Sequence, residues 1–268
     1  MSKLLYGKPC ADSLRGELTE KFAKFGTKAT LVAIGFEDPS WQQYANFLAK
    51  TAQSLGVEYE NVVLSDVEPE EFFRIIKSYS DRVDISGILL QQPLPKQYAA
   101  APEYVAPQKD VDCLSPLSIA KLYNGEPNAK LPATPTAVLT LLDWYGIDLT
   151  GKNVVIVGRG SAVGKPLALM MLKRNATVTV CHTKTVNLPE VCKRADILVS
   201  ACGVAGLITS DFVTENTVVI DVGLSFVDGK TCGDVASDVY DKCFAVSPVP
   251  GGVGPITRLC LLGNLLQK

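Results

Sequence analysis

The chain has 268 residues, of which 47% are hydrophobic, and its 26 basic and 28 acidic side chains give a net charge of -2. This length and composition predict a folded protein and exclude a disordered chain. The sequence has no basic stripe for a nucleic-acid backbone, no run of 18 apolar residues and no export signal. We therefore expect a soluble cytoplasmic protein that binds neither nucleic acid nor a membrane.

Eight cysteines are scattered along the chain without a C-x-x-C pair, and His182 is the only histidine. This pattern lacks the ligand spacing of zinc sites, so we expect no metal. The cysteines are expected to be buried free thiols in a reducing compartment.

Helix and strand patterns alternate through the first half of the chain. Helices are predicted near residues 10–24, 39–55 and 68–79, and strands near 31–35, 57–64 and 85–90. The following sequence Gln91-Gln-Pro-Leu-Pro95 cannot continue a central strand, so it predicts a loop at the carboxyl end of that strand. Ligands bind at this end of open α/β sheets.

The second half resumes the alternation after an irregular region at residues 107–135 and a connecting helix at 136–145. The predicted order is strand 154–157, helix 163–174, strand 177–181, helix 188–194, and strands 197–201, 218–222 and 243–247. A last helix reaches residue 267 and is expected to pack back on the first domain. The prediction is an α/β protein with an N-terminal α/β domain (1–130 plus 255–268) and a Rossmann-type domain (136–250).

A glycine loop joins the first strand of the second domain to the helix that follows it. Such a loop lets backbone amides approach a pyrophosphate at a helix N-terminus, which predicts a dinucleotide site. The spacing is G-x-G-x-x-x-G, so an ordinary strand-to-helix turn remains an alternative. The candidate cofactor-binding residues of the loop are Gly158, Arg159, Gly160, Ser161, Val163 and Gly164.

The second strand of this domain ends in Cys181-His182-Thr183-Lys184, without the acid that would hold the ribose hydroxyls of NAD. Arg159, Thr183 and Lys184 could instead contact a 2'-phosphate. We therefore prefer NADP over NAD. The alternatives are that Lys184 is a solvated surface charge and that His182 is a capping or packing residue.

Motifs in both halves resemble the methylenetetrahydrofolate dehydrogenase/cyclohydrolase family of folate one-carbon metabolism. These motifs occur in the same order as in the family, over nearly the whole chain. They are Asp38-Pro39 with Tyr44, Gly87–Gln91 followed by Pro-Leu-Pro, Lys109-Asp-Val-Asp112, Pro132-Ala-Thr-Pro135, Gly151-Lys152, Ala176–His182, Ala195–Leu198, Ile220-Asp-Val-Gly223, Gly233-Asp-Val235 and Pro248–Pro255.

This resemblance implies that a hydride passes from 5,10-methylenetetrahydrofolate to a nicotinamide cofactor, usually followed by hydrolysis of the methenyl product to 10-formyltetrahydrofolate. It implies catalytic and folate-binding roles for Tyr44, Gln91 and Asp112, and it suggests a homodimer. It also implies folate contacts from Pro250, Gly251 and Gly252, and cofactor contacts from Gly203 and Leu224.

Each implied catalytic role has a physical basis and an alternative. The Asp112 carboxylate could accept hydrogen bonds from the pterin, or it could be a surface turn acid. Tyr44 could stack on the folate, or it could be a core aromatic. Gln91 could orient a water molecule or polarise the one-carbon unit, or it could cap a loop.

The sequence departs from the family at Leu48, where the family has the lysine held chiefly responsible for the cyclohydrolase step. Lys50 points about 200° away on the same helix, so we expect no simple replacement. Cys113 also stands where the family has a glycine. We therefore expect a dehydrogenase with weak or absent cyclohydrolase activity. The alternatives are a fully bifunctional enzyme, a non-catalytic protein that binds folate or dinucleotide, and an unrelated two-domain dehydrogenase.

Overall fold

The structure, a computed structural model, describes residues 1–227 and 229–267. The chain divides into two compact units, each made from two separate stretches of sequence. The three-stranded unit contains Ser13–Ala133 and Arg258–Lys268, and the six-stranded unit contains Met1–Asp12 and Thr134–Thr257. Within the described part of the chain, no helix is long and apolar enough to cross a membrane.

Strands and helices alternate along most of the described chain. The strands are β1 (Lys3–Leu4), β2 (Thr30–Phe36), β3 (Glu58–Leu64), β4 (Gly87–Leu90), β5 (Asn153–Val157), β6 (Thr177–Cys181), β7 (Ile197–Ser200), β8 (Val218–Asp221), β9 (Ser225–Val227), β10 (Lys230–Cys232) and β11 (Ala245–Val246). The helices are α1 (Gly7–Ala23), α2 (Pro39–Ser54), α3 (Pro69–Asp81), α4 (Pro116–Tyr123), α5 (Ala133–Trp144), α6 (Gly164–Lys173), α7 (Leu188–Cys192) and α8 (Gly254–Gly263).

A parallel sheet in the order β3-β2-β4 forms the centre of the three-stranded unit. Residues 31–35 of the central strand β2 are all buried, as expected for a strand covered on both faces. Helix α2 begins directly after this strand, because Pro39 occupies the first turn and the Asp38 carboxylate accepts the backbone N–H of Trp41 at 2.8 Å. The first turns of α2 therefore lie at the carboxyl end of β2.

The sheet of the six-stranded unit has the order β1-β11-β8-β7-β5-β6, and its pairs are parallel. The central strands β5, β7 and β8 are almost wholly buried. This doubly wound arrangement brings the carboxyl ends of β5, β7 and β8 to one edge of the sheet. The predicted two-domain α/β fold with a Rossmann-type domain is thus confirmed.

The N-terminal residues differ from the predicted domain division, which placed residues 1–130 together. Strand β1 instead pairs with β11 at the edge of the six-stranded sheet, with Lys3 opposite Ala245 and Leu4 opposite Val246. The backbone N–H of Leu5 also donates to the carbonyl of Val246 at 2.9 Å. A two-residue strand is too short to show a periodicity, so this pairing was not predicted.

The C-terminal residues return to the three-stranded unit, as predicted for the last helix. The side-chain amide of Asn264, which is buried, donates to the carbonyls of Val111 and Leu131, both at 2.8 Å. The side chain of Leu265 fills the space beside Gly87, where a Cβ atom would lie 2.4 Å from it.

Two structured segments were not predicted. Helix α4 lies inside the region expected to be irregular, and its N-cap Ser115 accepts the backbone N–H of Ser118 at 3.3 Å. Strands β9 and β10 pair as an antiparallel ribbon. Both segments are short, so neither displays enough of its period in the sequence to be recognised.

Candidate functional site

The glycine loop of the six-stranded unit connects β5 to α6, and two of its glycines are sterically required. Gly158 has φ +122°, and a Cβ atom there would lie 2.4 Å from the carbonyl oxygen of Ala201. A Cβ atom at Gly164 would lie 2.1 Å from the carbonyl oxygen of Gly158. Nothing lies within 4 Å of a Cβ atom placed at Gly160, so this residue leaves open space at the loop surface. The loop has the form expected for close approach of a dinucleotide.

The start of α6 has no side-chain cap, since Val163 at its N-cap position makes none. In the first helical turn, however, the backbone N–H of Lys165 donates to the carbonyl of Gly160 at 3.1 Å and Pro166 has no N–H, so Gly164 is the position whose N–H could meet an anion. Ser161 is exposed in the same loop. These features fit a phosphate group bound by the loop.

The end of β6 carries cations rather than an acid. Arg159, Thr183 and Lys184 are all exposed. Neither Arg159 nor Lys184 forms an ion pair with another residue of the described chain. His182 caps the turn, because its Nδ1 accepts the backbone N–H of Lys184 at 3.1 Å. The capping alternative for His182 therefore has direct support.

Two buried aspartates organise the loops that follow β7 and β8. The carboxylate of Asp221 accepts the backbone N–H groups of Gly223, Asp234 and Val235, each at 3.0 Å. The carboxylate of Asp234 accepts the Ser200 hydroxyl at 2.8 Å and the backbone N–H groups of Cys202 and Val204 at 2.7 and 2.8 Å. Burial raises the pKa of Asp221 to about 6 despite its three hydrogen bonds.

The aspartate-bound loops bring together Gly203 and Leu224, two of the implied cofactor-binding residues. Gly203 has φ +66°, and a Cβ atom there would lie 3.7 Å from the carbonyl oxygen of Leu224. The Leu224 side chain is 59% exposed. Gly158 lies against Ala201 of the same loop, so the glycine loop, Gly203 and Leu224 share one edge of the sheet.

The loop at residues 248–255 is a tight turn within the six-stranded unit. The backbone N–H of Gly252 donates to the carbonyl of Pro248 at 2.7 Å, and the carbonyl of Gly251 accepts the backbone N–H of Gly7 at 2.8 Å. The Gly252 amide is therefore already bound within the turn. The predicted folate contacts of Pro250, Gly251 and Gly252 stay a prediction.

Tyr44 and Asp112 come together in the three-stranded unit. The Asp112 carboxylate accepts the backbone N–H of Ala133 at 3.0 Å. Burial, with a smaller effect from the charge of Asp110, raises the pKa of Asp112 to about 7. Burial and the nearby Asp112 carboxylate both raise the pKa of Tyr44. The two side chains thus interact electrostatically, and burial favours the protonated form of each.

Gln91 lies at the carboxyl end of β4, beside Trp41. Its Oε1 accepts the backbone N–H of Phe36 at 2.6 Å, so this oxygen caps the end of β2. Both side chains pack against Gly35, which has no Cβ atom. A Cβ atom there would lie 2.5 Å from Trp41 Nε1 and 2.7 Å from Gln91 Oε1. The Trp41 ring lies 6.1 Å from the Tyr44 ring, which places Gln91 in the neighbourhood of Tyr44.

Leu48 and Lys50 lie on different faces of α2. Leu48 is wholly buried, whereas Lys50 is exposed. This agrees with their predicted angular separation on a helix. An apolar core side chain therefore occupies position 48 of α2.

The sequence Lys109-Asp-Val-Asp112 divides into structural and candidate functional residues. The ammonium of Lys109 donates to the carbonyls of Ser80 and Arg82, and the Asp110 carboxylate accepts the backbone N–H of Ser115 at 2.7 Å. Cys113 has φ +56°, a left-handed conformation that explains why glycine suits this position. Asp112 is thus the member of the motif that remains for a ligand.

Three residues near these side chains were not singled out from the sequence. Arg258 on α8 is half-buried, and the charge of its guanidinium acts on Tyr44. Lys130 is buried and donates to the carbonyl of Gln108 at 2.5 Å, and burial lowers its pKa to about 8. Trp41 Nε1 is buried and has no hydrogen-bond partner among the described residues. None of the three belongs to a local motif, so no sequence pattern marked them.

No group of three or more His, Cys, Asp or Glu side chains is arranged to hold a metal ion in the described part of the chain.

Both halves of the sequence match one family. The tetrahydrofolate dehydrogenase/cyclohydrolase catalytic domain matches residues 5–112, and the NAD(P)-binding domain of the same family matches residues 132–268. A bifunctional FolD protein from Clostridium perfringens (strain 13 / Type A) is 44% identical over 277 residues, covering 100% of this chain and 99% of the relative.

Solved structures agree with the sequence matches. The bifunctional methylenetetrahydrofolate dehydrogenase/cyclohydrolase from Campylobacter jejuni is 36% identical with a TM-score of 0.94, covering 99% of this chain and 98% of that one. The Trypanosoma brucei enzyme, solved with NADP and an inhibitor, is 32% identical with a TM-score of 0.93, covering 99% and 96%. The resemblance predicted from the motifs is confirmed, and this chain belongs to the tetrahydrofolate dehydrogenase/cyclohydrolase family.

Proposed function

We propose that this chain oxidises 5,10-methylenetetrahydrofolate to the methenyl form with NADP as hydride acceptor, and that it hydrolyses the product weakly or not at all. Family membership supports the oxidation. The observation that carries the second part is Leu48, which is apolar and wholly buried where the family has a lysine.

The cofactor preference rests on the edge of the six-stranded sheet. The glycine loop and the uncapped start of α6 fit a pyrophosphate, and NADP would supply the acceptor for the hydride. Arg159, Thr183 and Lys184 offer a guanidinium, a hydroxyl and an ammonium to a 2'-phosphate. The related Trypanosoma brucei structure contains NADP, which supports the same choice.

The folate-binding role rests on the three-stranded unit. The Asp112 carboxylate would accept hydrogen bonds from the amino-pyrimidine edge of the pterin, and Tyr44 would stack on the folate. The Oε1 atom of Gln91 is bound to Phe36, so its amide nitrogen is the group left to act on the one-carbon unit. These residues orient the substrate, which is the main demand of a hydride transfer.

Hydrolysis of the methenyl product makes a different demand on the protein. Addition of water benefits from a positioned proton-transfer group, which typically contributes about 100-fold to 10,000-fold. Leu48 has no proton to transfer, and Lys50 lies on another face of α2. We therefore expect the oxidation to be retained and the hydrolysis to be lost or slow.

Full bifunctionality is the second candidate, and the names of the related proteins favour it. One experiment separates the candidates. The purified chain is given methylenetetrahydrofolate with NADP or with NAD, and NADPH or NADH formation and methenyl decay are followed in the same cuvette. NADP reduction with methenyl decay at the buffer rate supports the proposal, whereas rapid enzyme-dependent decay supports full bifunctionality. Tight folate binding without reduction of either cofactor would identify a non-catalytic binding protein.

We also propose that the protein works as a homodimer in the cytoplasm. No disulfide joins the eight cysteines, all of which lie in the described part of the chain, and this suits a reducing compartment. Strand β3 has a hydrogen-bonded neighbour on one side only among the described strands. Light scattering on the purified protein would test the oligomeric state, and a monomer at micromolar concentration would contradict it.

A further inference from the structure

One face of α2 carries Tyr44, Phe47 and Leu48. Residues three and four positions apart are neighbours on a helix, so these three side chains form a continuous surface. We call this surface the α2 face. Its members are a phenol, an exposed phenyl ring and a buried leucine, so α2 itself provides no positive charge there.

A cation reaches the α2 face from α8, in the same unit. The guanidinium carbon of Arg258 lies 5.5 Å from the centroid of the Phe47 ring, within the range of a cation–π contact. Arg258 is half-buried, and it forms no ion pair with any carboxylate of the described chain. Its Nε is buried and has no hydrogen-bond partner among the described residues. Burying a donor of a charged group without a hydrogen-bond partner costs free energy of folding, so such an atom in a native structure indicates a functional or structural role.

Arg258 and Tyr44 interact electrostatically. The positive charge of Arg258 lowers the pKa of Tyr44, in opposition to burial and to the Asp112 carboxylate, which raise it. The Tyr44 phenol therefore experiences opposing electrostatic effects from the Asp112 carboxylate and the Arg258 guanidinium. Burial lowers the pKa of Arg258, but a guanidinium stays protonated under any working condition.

We propose that Arg258 is a positioning residue of the folate site: it supplies from α8 the positive charge that α2 lacks at Leu48, and it orients Tyr44 toward the substrate. This inference rests on the proposed function. It also explains why the oxidation is expected to be retained while the hydrolysis is lost or slow. A lysine amine can release and regain a proton, whereas a guanidinium holds its charge without transferring protons. Arg258 can thus support substrate binding and oxidation without restoring the proton transfer that hydrolysis needs.

The experiment compares R258M, R258K and a control, R74M, with the full-length wild type. Arg74 is a suitable control because it lies in the same unit and is paired with Glu71 at 2.6 Å on α3. NADP reduction gives kcat and KM for methylenetetrahydrofolate, and calorimetry gives Kd for tetrahydrofolate without turnover. We expect R258M to raise KM and Kd about 10-fold, R258K to recover most of this loss, and R74M to match the wild type.

A double-mutant cycle with Y44F tests whether Arg258 acts through Tyr44. If it does, R258M should weaken tetrahydrofolate binding about 10-fold in the wild type but less than 3-fold in the Y44F background. Equal effects in both backgrounds would overturn the inference. So would unchanged KM and Kd in R258M, or an R258K protein as impaired as R258M.

Three further outcomes are distinguished. If R258M has a lowered Tm, R258Q replaces it in the same cycle and is judged by the same outcomes. If the wild type reduces neither cofactor, the proposed function fails, while the tetrahydrofolate Kd values still decide the role of Arg258. If the wild type is active and R258M binds and reacts normally, only the role of Arg258 fails.

Discussion

The Asp221 carboxylate accepts the backbone N–H of Asp234 at 3.0 Å, while a Cβ atom at Gly223 would lie 2.0 Å from the Asp234 carboxyl group. Asp221 therefore holds the segment that carries Asp234 together with Gly223, next to Leu224, and the Asp234 carboxylate in turn holds Cys202 and Val204 on either side of Gly203. Burial raises the pKa of Asp221 from an ordinary value of 3.8 to about 6. This shift connects protonation with the stability of the six-stranded unit.

Asp221 should make the protein less stable as pH rises from 4 to 6. The folded state keeps the Asp221 proton over this range while the unfolded state has released it, so the free energy of unfolding falls with pH. A shift of this size corresponds to about 3 kcal/mol. We expect D221N to have a flatter pH dependence than the wild type. Urea unfolding at several pH values measures it, and parallel curves for the two proteins would contradict the prediction.

Replacing Leu48 with lysine should increase methenyltetrahydrofolate hydrolysis about 10-fold to 100-fold, within the range of a proton-transfer group. Burial at this position disfavours the ammonium, so the new amine would titrate closer to neutral pH and could transfer protons. The measurement is methenyl decay by absorbance. L48M is the matched control, because it keeps the volume without adding a base. No gain in L48K with a normal Tm would mean that the loss of hydrolysis has another cause.

Folate affinity should depend on the charge of Asp112. Its pKa is raised to about 7 by burial, and only the carboxylate form can accept both hydrogen bonds from the pterin. We expect kcat/KM for methylenetetrahydrofolate to fall about tenfold for each pH unit below 7, since this ratio reports the ionisation of the free enzyme. D112N should have a low kcat/KM that changes little between pH 6 and 7.5. A wild-type profile that is flat over this range would rule out the role assigned to Asp112.

Removing the Arg159 side chain should affect NADP more than NAD. Its guanidinium is expected to meet the 2'-phosphate, which NAD lacks, so R159A should raise KM for NADP about 10-fold to 100-fold and change KM for NAD less than 2-fold. K193A is a suitable control, because Lys193 is paired with Glu190 at 2.8 Å in the same unit. Equal effects of R159A on both cofactors would count against a 2'-phosphate contact.

The glycines of the cofactor loop should respond differently to alanine. At Gly164 a Cβ atom would overlap the carbonyl of Gly158, so G164A is expected to lower the free energy of unfolding by about 3 kcal/mol. At Gly160 the space is open, so G160A should keep the wild-type Tm. Its added methyl group should instead weaken NADP binding, because it would contact the cofactor. Thermal melting and NADP titration measure the two effects. Equal Tm values for both variants would contradict the steric argument.

Elements with several turns or a long apolar run were predicted well from the sequence. Strand β2 is buried from Leu31 to Gly35, and α2 begins with the Asp38-Pro39 signal, so pattern and capping agree with the structure. The glycine loop was recognised because it follows β5 and precedes α6. Strand β1 and helix α4 were missed because they are too short for their period to show.

The candidate site was predicted where a residue belongs to a local motif. Tyr44, Gln91 and Asp112 were singled out in this way, and their roles stay a prediction. Arg258 was not, because its importance depends on a contact with Phe47, which is more than 200 residues away in sequence. Asp221 and Asp234 belong to motifs of the sequence, but the hydrogen bond from the Asp234 backbone N–H to the Asp221 carboxylate depends on how two loops fold together.

Each unit is built from two stretches of sequence, and this limits how the protein can be divided for experiments. A fragment that ends near residue 133 would lack Arg258 and Asn264 of the three-stranded unit, and a fragment that begins near residue 134 would lack β1. Isolated halves are therefore expected to expose an unfilled core and an unpaired strand edge, and to aggregate. Studies of either site, including isotope labelling for NMR and ligand screening, should use the intact polypeptide.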